Sequence, residues 1–334
     1  MMRHFAAVVG LAAALLAIPQ GASAQTEIRI GIGFGIGFLP MFIADEMKLV
    51  EKHAKAAGIE TKATFQRFSG SAAMQDAVLS GSVDVGVYGV PAMLIAWDKA
   101  RNTPLQVFGI AGVNSSPLVL VSNRLDAKSI EDLAPSDKIA MPAIVSPQMY
   151  ALQMIAEKRF GKGNQDRLKS QVVALPHPEA VNAMLTGGTE VKAYFSTPPF
   201  TQLVLASGKT KLITTSEEAF DGRSTFLAAG ATKKWLEANP KMAGVLIKAL
   251  EEAGEVIRKD PAKAASIYLK VEPSKFFDEA KIEAMLKTMP DDFGVALHGV
   301  KTLADFMSRT GGLKTPVAKW QDVTVPDLAN TPSN

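Results

Sequence analysis

Short apolar runs along the chain predict strands that alternate with helices. Isoleucines at positions 28, 30 and 32 are separated by Arg29 and Gly31, which is the period-2 pattern of a strand. Such runs predict strands over residues 28–32, 59–68, 83–88, 105–112, 118–122, 138–141, 171–175, 191–195 and 211–214. Because helical patterns follow most of these runs, the sequence predicts crossover units around mainly parallel sheets.

The arrangement occurs twice, which predicts two α/β units. The strands and helices of residues 138–214 repeat those that come before residue 122. From about Thr232 onward the pattern is almost entirely helical, and Asn239-Pro240 and Asp260-Pro261 each predict an N-cap followed by a helix-starting proline. The polar, proline-bearing residues 316–334 predict an extended tail on the surface.

The first 24 residues are predicted to be a cleaved signal peptide. Residues 6–18 form an unbroken apolar run after Arg3, and Ala22-Ser23-Ala24 supplies a small-x-small cleavage pattern before Gln25. The run is shorter than the roughly 20 residues that a membrane-spanning helix needs. We therefore expect the chain from Gln25 onward to be exported.

Composition excludes several kinds of site. The sequence contains no cysteine, so disulfides and thiolate metal sites are excluded. The 36 basic and 33 acidic residues give a net charge of +3, which becomes +2 when Arg3 is removed with the signal peptide. Lysine and arginine do not cluster as a nucleic-acid footprint requires, so we expect no nucleic-acid partner.

Prolines at helix starts are the most informative feature of the pattern. Each of five prolines stands shortly after a predicted strand and opens a predicted helix: Pro40, Pro91, Pro147, Pro178 and Pro198. The free amides at such helix starts point past the carboxyl end of the strand and favour a negatively charged group. Ligands of open α/β sheets bind at that end, so two facing sheets would form a cleft between them.

Hydroxyl side chains occur at two of these helix starts and at one further predicted helix start. The motif Ser69-Gly70-Ser71 could wrap an oxyanion with its amides and hydroxyls, or act as an ordinary N-cap. Ser146 before Pro147 and Thr197 before Pro198 allow the same two interpretations.

Catalytic motifs do not appear in the sequence. The histidines after the signal peptide, His53, His177 and His298, lack metal-ligand spacing, and the sequence has no Gly-x-Ser-x-Gly elbow. His177 falls at a strand-to-helix turn that could line a cleft, although a capping or surface role is the favoured interpretation. We therefore expect a binding protein that is not an enzyme.

Several motifs, in order, resemble a known family. The motif GFLPMFIADE at residues 37–46 is similar to the opening segment of the nitrate/sulfonate/taurine family of ABC-transporter solute-binding proteins. The resemblance continues with SGSAA at 69–73, LSGSVDVG at 79–86, AMLTG at 183–187, STPPF at 196–200, NP at 239–240 and DPAKAA at 260–265. It covers nearly all of the chain after residue 24.

The resemblance implies a two-lobed α/β fold of the type 2 periplasmic binding protein class. Residues 25–115 and 220–334 would form the first lobe, and residues 116–219 the second. Two hinge crossings, near residues 114–118 and 214–225, would join the lobes. The expected function is to capture a small organic anion in the periplasm, such as a sulfonate or a taurine-like molecule, and deliver it to ABC permease subunits in the membrane. The resemblance implies a monomer without a cofactor.

The resemblance also places the ligand in the loops between the lobes. The implied contacts are Gly37, Phe38, Leu39, Ser69, Gly70, Ser71, Tyr88, Gly89, Val90, Asn114, Ser115, Ser146, Ser196 and Thr197. Phe38 and Tyr88 could stack on a flat ligand or belong to the core. Arg67 and Arg223 could each clamp an anion or lie solvated on the surface.

Three alternatives remain beside the anion-binding interpretation. One is a binder of an aromatic or pyrimidine-type ligand, similar to a thiamine precursor. Another is a pyrimidine-precursor synthase of the same fold, which would need iron-binding histidine and cysteine residues that this chain lacks. The third, the effector half of a transcription regulator, is disfavoured because no DNA-binding helix-turn-helix precedes the lobes.

Overall fold

The structure, a computed structural model, describes residues 26–330. The predicted signal peptide, residues 1–24, lies outside the described residues. The strands are β1 (Thr26–Ile32), β2 (Thr61–Arg67), β3 (Val85–Gly89), β4 (Val107–Asn114), β5 (Val119–Ser122), β6 (Lys138–Met141), β7 (Val172–Ala174), β8 (Val191–Ser196), β9 (Lys211–Thr215) and β10 (Leu227–Thr232).

Thirteen α-helices accompany the strands in the described part of the chain. They are α1 (Leu39–Glu46), α2 (Leu49–Ala56), α3 (Ser71–Ser80), α4 (Val90–Lys99), α5 (Pro147–Phe160), α6 (His177–Thr186), α7 (Phe200–Ala206), α8 (Ser216–Phe220), α9 (Lys233–Ala238), α10 (Met242–Lys259), α11 (Pro261–Val271), α12 (Glu279–Lys287) and α13 (Val300–Arg309).

The strands form two sheets with the same topology. The first sheet has the order β2-β1-β3-β10-β4, and the second has the order β7-β6-β8-β5-β9. In each sheet one strand, β10 or β5, runs antiparallel to both of its neighbours, while the other four strands share one direction. The predicted two-lobed α/β fold is therefore confirmed, with mixed sheets in which most strands are parallel.

The antiparallel strands arise where the chain crosses between the sheets. β5 follows β4 directly but pairs in the second sheet, and β10 follows β9 and α8 but pairs in the first. The chain thus crosses twice, and each crossing supplies a central strand to the sheet that it enters.

Strand β10 was absent from the sequence prediction because its residues, LAAGAT, have weak strand propensity. Small residues suit this position because Gly230 lies between Gly86 of β3 and Gly109 of β4 in the sheet register. A Cβ atom at Gly86 would lie 2.6 Å from Cε1 of Tyr88, and one at Gly109 would lie 3.0 Å from Sδ of Met93. The row of three glycines therefore makes room for large side chains on that face of the sheet.

Most of the predicted helix starts are confirmed, and two are wrong. Pro147 opens α5, and the Asp260 side chain caps α11 by accepting a 3.0 Å hydrogen bond from Lys263 N. Thr197-Pro198 does not open a helix, because α7 begins only at Phe200; a residue that precedes a proline, as Pro198 does, is disfavoured in helical conformation. Asn239 is the C-cap of α9, and α10 begins beyond the Asn239-Pro240 pair at Met242.

The C-terminal helices complete the first lobe. The longest of the described helices, α10, buries Val245, Leu246, Ala249 and Leu250 among other residues at helical spacing, and it packs on α1, α2 and β4. Full burial of each leucine contributes about 1.5–3 kcal/mol to folding. The chain end also packs inward, since Trp320, Val323, Val325 and Leu328 are buried. The predicted surface tail over residues 316–334 is therefore wrong for the residues that the structure describes.

A non-helical segment, residues 291–298, ties the two crossings to the first lobe. The carbonyl of Asp292 accepts a 2.7 Å hydrogen bond from Ser115 N at the first crossing. The carbonyl of His298 accepts a 2.9 Å bond from Thr225 N at the second crossing, and the carbonyl of Val295 accepts a 2.8 Å bond from Gly112 N. We call residues 291–298 the hinge strap.

Substituting Gly112 is expected to dislodge the hinge strap. A Cβ atom at position 112 would lie 2.3 Å from the carbonyl oxygen of Ala296. The nearest atoms belong to the backbone of the hinge strap, so no side chain can move aside. We expect Gly112→Ala to lower the free energy of unfolding by about 3 kcal/mol in urea titrations. The matched control Gly294→Ala, whose Cβ has no atom within 4 Å, should stay within about 0.5 kcal/mol of the unchanged protein. Equal effects of the two substitutions would contradict the prediction.

Candidate functional site

A cleft lies where the carboxyl ends of the two sheets face each other. It has a volume of about 180 Å³. The loops after β1, β2 and β3 line it from the first lobe, and the loops after β6 and β7 line it from the second lobe. This is the position at which open α/β sheets bind ligands.

Helix N-termini converge on this cleft. α3 begins at Ser71, α4 begins directly after Gly89, and α5 begins directly after Ser146, all beside the cavity. Two of the hydroxyls at these starts already accept hydrogen bonds: Ser146 Oγ accepts from Met149 N at 3.2 Å, and Ser71 Oγ accepts from Gly89 N at 3.3 Å. The Ser146 side chain therefore acts as an N-cap, and backbone amides are the main donors that α3 and α5 can offer to a ligand.

Seven of the fourteen residues predicted as ligand contacts line the cleft. They are Phe38, Ser69, Gly70, Ser71, Tyr88, Gly89 and Ser146. The sequence and its family resemblance thus brought together residues from four separate loops and from both lobes. That these residues contact a ligand stays a prediction.

The other seven predicted contacts lie outside the cleft lining, for identifiable reasons. Leu39 and Val90 point into the core, with 0 and 1 percent of their surface exposed. Gly37 packs under Leu227, whose Cδ1 would lie 3.0 Å from a Cβ at that position. The remaining four, Asn114, Ser115, Ser196 and Thr197, are buried and hydrogen-bonded within the protein.

The polar groups of these four residues hold the framework around the cleft. Asn114 Nδ2 donates to Ser116 Oγ at 2.8 Å, and Ser115 Oγ and Thr225 Oγ1 lie 3.2 Å apart across the two crossings. In the second lobe, Ser196 Oγ accepts from Thr201 Oγ1 at 3.0 Å. Their hydrogen-bonding capacity serves the hinge and the start of α7.

The rings of the two predicted aromatic contacts, Tyr88 and Phe38, are each partly covered by the protein. The Tyr88 ring lies over Gly86, and its buried hydroxyl, which has no partner in the described part of the chain, lies beside Gly230. Burial raises the pKa of this hydroxyl. Phe38 packs its ring edge on Gly33 at the cleft wall. One face of each ring is therefore occupied by the protein itself.

His177 lines the cleft from the second lobe, where the sequence interpretation favoured a capping or surface role. Its Nδ1 is hydrogen-bonded to the Tyr194 hydroxyl, and its Nε2 lies 3.4 Å from Thr197 Oγ1. The ring stacks on Phe200 with centroids 4.8 Å apart. Burial lowers the pKa of His177 from its ordinary value of 6.5 to about 4, so the imidazole is neutral at pH 7.

Each arginine that the sequence suggested as an anion clamp forms an ion pair within the protein. Arg223 donates 2.8 Å to the carboxylate of Asp292 in the hinge strap. Arg67 donates 2.7 Å to Glu272, and its guanidinium lies 4.8 Å from the ring centroids of both Phe34 and Phe42. Both guanidinium groups thus form ion pairs inside the first lobe, and Nη2 of Arg67 is buried without a partner in the described part of the chain.

Glu272 positions the glycine-containing loop at the cleft. Its carboxylate accepts hydrogen bonds from Gly35 N at 2.9 Å, Arg67 Nη1 at 2.7 Å and Tyr268 Oη at 3.2 Å. Gly35 has a φ of 94°, a left-handed conformation that favours glycine. The ion pair therefore fixes the loop that carries Phe34 into the cleft lining.

The lining of the cleft is aromatic and uncharged. Among the described residues that line it, none is Lys, Arg, Asp or Glu. Five aromatic carbon rings contribute, namely Phe34, Phe38, Phe68, Tyr88 and Phe226. The sequence interpretation missed Phe34, Phe68 and Phe226, although each stands within two residues of a strand end, the signal that could have identified them. Such a lining can hold an apolar ring and hydrogen-bond a polar group, but its only titratable side chains are those of Tyr88 and His177.

Two contacts span the lobes beside the cleft. A Cβ at Gly89 would lie 2.6 Å from Cγ of Pro147, so the first turn of α5 rests against the end of β3. The second contact is an ion pair, in which Arg309 of α13 donates two hydrogen bonds, 2.7 and 2.6 Å long, to Glu157 of α5. The Arg309 side chain holds the pKa of the Glu157 carboxyl below its usual range.

Between residues 26 and 330, no helix has both the length and the apolar character that crossing a membrane requires. Within the same range, histidine and acidic side chains do not gather in groups of three or more that could hold a metal ion.

Comparison with known proteins identifies the relatives of this architecture. The model of the NMT1-like family matches residues 21–269. A sequence comparison with curated proteins gives no match. The structure is similar to the alkanesulfonate-binding protein SsuA from Xanthomonas axonopodis pv. citri bound to MOPS, with 17% identity, a TM-score of 0.69, and 92% of this chain and 99% of that chain covered.

Two further solved structures show the same fold. The periplasmic aliphatic sulphonate binding protein SsuA from Escherichia coli is 18% identical, with a TM-score of 0.69 and coverage of 91% of this chain and 93% of that chain. The periplasmic nitrate-binding protein NrtA from Synechocystis PCC 6803 is 16% identical, with a TM-score of 0.66 and coverage of 92% and 88%. At these identities the similarity establishes the fold alone.

Substituting Gly89 is expected to force the lobes apart. In Gly89→Ala the new Cβ would clash with Pro147 of the other lobe, and rotation about the crossings relieves a clash between lobes more easily than repacking does. We expect a larger radius of gyration in small-angle X-ray scattering, while Gly244→Ala, whose Cβ meets only Asp327 Oδ1 at 3.5 Å, leaves it unchanged. An unchanged radius with lowered stability would show that the clash is absorbed within the lobes.

The lowered pKa of His177 predicts a pH-dependent loss of stability. Between pH 6.5 and about 4 the unfolded chain binds a proton at His177 that the folded protein does not, so stability falls as the pH falls through this window. The loss is roughly 3 kcal/mol at most, since one pKa unit corresponds to about 1.4 kcal/mol. Urea titrations should show that wild-type protein loses more stability than His177→Gln between pH 7 and pH 4. Parallel pH profiles would contradict the prediction.

Proposed function

The chain belongs to the NMT1-like family, and from this premise we propose that it is the solute-binding component of an ABC importer. It captures a small organic solute in the cleft between its lobes and delivers it to permease subunits in the membrane. Because the similar sulfonate- and nitrate-binding proteins are described as periplasmic, the proposed location is the periplasm.

One observation carries the proposal. Loops from both lobes, distant in sequence, meet at the carboxyl ends of two sheets and enclose a single small cleft. A solute that touches Ser71 or Gly89 on one side and Ser146 or His177 on the other binds the closed arrangement better than the open one. Its differential affinity for the two arrangements then drives closure.

The lining supports a flat organic solute over a bare inorganic anion. A bare inorganic anion such as nitrate would find backbone amides, hydroxyls and the neutral side chains of Gln148 and His177 here, but no cation, because the lining contains no Lys or Arg and Arg67 is paired with Glu272. The helix starts at Ser71 and Pro147 can hold one negative group, and the aromatic rings Phe34, Phe68 and Phe226 can pack on an apolar body.

This chemistry favours the second candidate ligand class, an aromatic or pyrimidine-type solute, beside the organic anion. The His177 imidazole is neutral and its two nitrogens face Tyr194 and Thr197, so it adds an uncharged ring to the lining, and Gln148 adds a neutral amide. Both suit an uncharged heterocycle. The two classes overlap in a ring that carries one acidic group. The proposed activity is capture without chemical change of the solute.

A cleft-filling substitution tests the proposal. A Cβ at Gly70 has no atom within 4 Å, so Gly70→Trp can add a side chain without a clash at its Cβ and brings a large ring to the cleft lining. We expect solutes from a screen of sulfonates, carboxylates and heterocycles to raise the melting temperature of the purified protein. A solute at 100 times its Kd stabilises the protein by about 2.7 kcal/mol. Gly70→Trp should abolish this shift.

The matched control is Ala72→Trp, an exposed position in the same helix that does not line the cleft. It should retain the full shift. If no solute of any class changes the melting temperature, or if both variants retain the shift, the proposal fails.

A further inference from the structure

A second cavity lies between the lobes beside the cleft. Its volume is about 430 Å³, more than twice that of the cleft. Helices α6 and α7 of the second lobe form one wall, and the end of α11 with residues 273–277 of the first lobe forms the other. Pockets of about 300–1,000 Å³ are typical of organic ligands, so this space is large enough to hold part of one.

A short stack of side chains separates the two cavities in each lobe. In the second lobe, His177 faces the cleft and stacks on Phe200, which lines the second cavity. In the first lobe, planar groups are stacked in the order Phe34, Arg67, Phe42, Tyr268, from the cleft wall to the wall of the second cavity. Each of these stacks, which we call a partition, therefore runs without a break from the lining of the cleft to the lining of the second cavity.

The two partitions belong to different lobes and are not joined. Within residues 26–330, no hydrogen bond, ion pair or ring contact connects the His177–Phe200 pair to Phe34 or Glu272 of the first lobe. When the lobes rotate apart, the walls separate and the two cavities open onto each other. A single solute can then occupy both before the lobes close.

The second cavity is suited to an apolar group. Val181, Leu185 and Leu203 line it from the second lobe, and Phe276, 60 percent exposed, faces it from the first. The one carboxylate in its wall, Glu272, already accepts hydrogen bonds from Gly35, Arg67 and Tyr268. The remaining polar side chains are neutral or, like that of Lys275, extend from an exposed residue.

We propose that the second cavity binds the apolar body of the same solute whose polar end lies in the cleft. The proposal rests on the proposed function and narrows its substrate class to amphipathic organic molecules: a small polar or acidic end joined to an alkyl chain or a ring system. The cleft recognises the polar end, and burial against α6, α7 and Phe276 provides affinity for the rest.

The test uses 1-anilinonaphthalene-8-sulfonate, a fused-ring sulfonate whose fluorescence rises in apolar surroundings. Asn182 is exposed and lines the second cavity, so Asn182→Trp fills that space without entering the core. Gly70→Trp fills the cleft. The matched control is Thr186→Trp, at an exposed position four residues along the same helix and outside the cavity lining.

We expect the intact protein to bind the probe with enhanced, blue-shifted emission. Asn182→Trp and Gly70→Trp should each weaken binding about tenfold or more, whereas Thr186→Trp should not. Small solutes found in the melting-temperature screen should still bind Asn182→Trp, because they occupy the cleft alone.

The remaining outcomes overturn the proposal. Loss of probe binding in Gly70→Trp alone would exclude the second cavity, and loss in Asn182→Trp alone would make it a separate site. Absence of probe binding, or equal binding by all variants, would also overturn it. If small solutes bind while the probe result is negative, the proposed function stands and only this inference fails. If no solute shifts the melting temperature, the proposed function itself has failed.

Discussion

Hydrogen bonding of the two strands that follow the crossings, β5 and β10, anchors the chain in each lobe and sets how the molecule moves. β5 is paired on both edges in the second sheet, and β10 is paired on both edges in the first, yet each follows the strands of the opposite sheet in the chain. The lobes stay joined because the chain runs directly from β4 into β5 and from β9 and α8 into β10. Rotation about the two crossings breaks none of these strand pairings, and it is therefore the motion that the fold leaves available.

The site takes its character from this arrangement. Facing the carboxyl ends of two sheets toward each other brings helix starts from both lobes to one gap, and it also brings aromatic residues from the strand ends. Arg67, whose guanidinium lies 4.8 Å from the centroid of the Phe34 ring at the cleft wall, is paired with Glu272, and this carboxylate holds the loop at Gly35 in place. Local charges thus shape the wall of the cleft, and recognition is left to rings, hydroxyls and amides.

The sequence predicted the fold well because its main signals are local. Proline at the start of α5 and the glycine that follows α3 set helix boundaries through backbone geometry alone, and the structure confirms them. β10 could not be predicted in the same way, since its alanines and Gly230 suit a strand only between two neighbours that carry large side chains.

The predicted site shows the same division. Ser69, Ser71 and Ser146 line the cleft. They could be predicted because helix starts can be recognised in the sequence. Asn114 and Ser115, by contrast, are bonded to the hinge strap, whose residues lie about 180 positions later. The role of Glu272 likewise depends on a contact 237 residues away in sequence, which no local pattern contains.

The strands that follow the crossings also impose an order on folding. During synthesis the second sheet has all its strands once Thr215 has emerged, whereas the first sheet lacks its antiparallel strand until Thr232, although three of its strands were made before residue 90. β4 has no partner in the first sheet until β10 arrives between it and β3. The edges of β3 and β4 that pair with β10 therefore stay unpaired until β10, more than a hundred positions later in the chain, has been made. Such edges attract other chains, so the growing chain is most exposed to edge-to-edge association in the interval before β10 has been made.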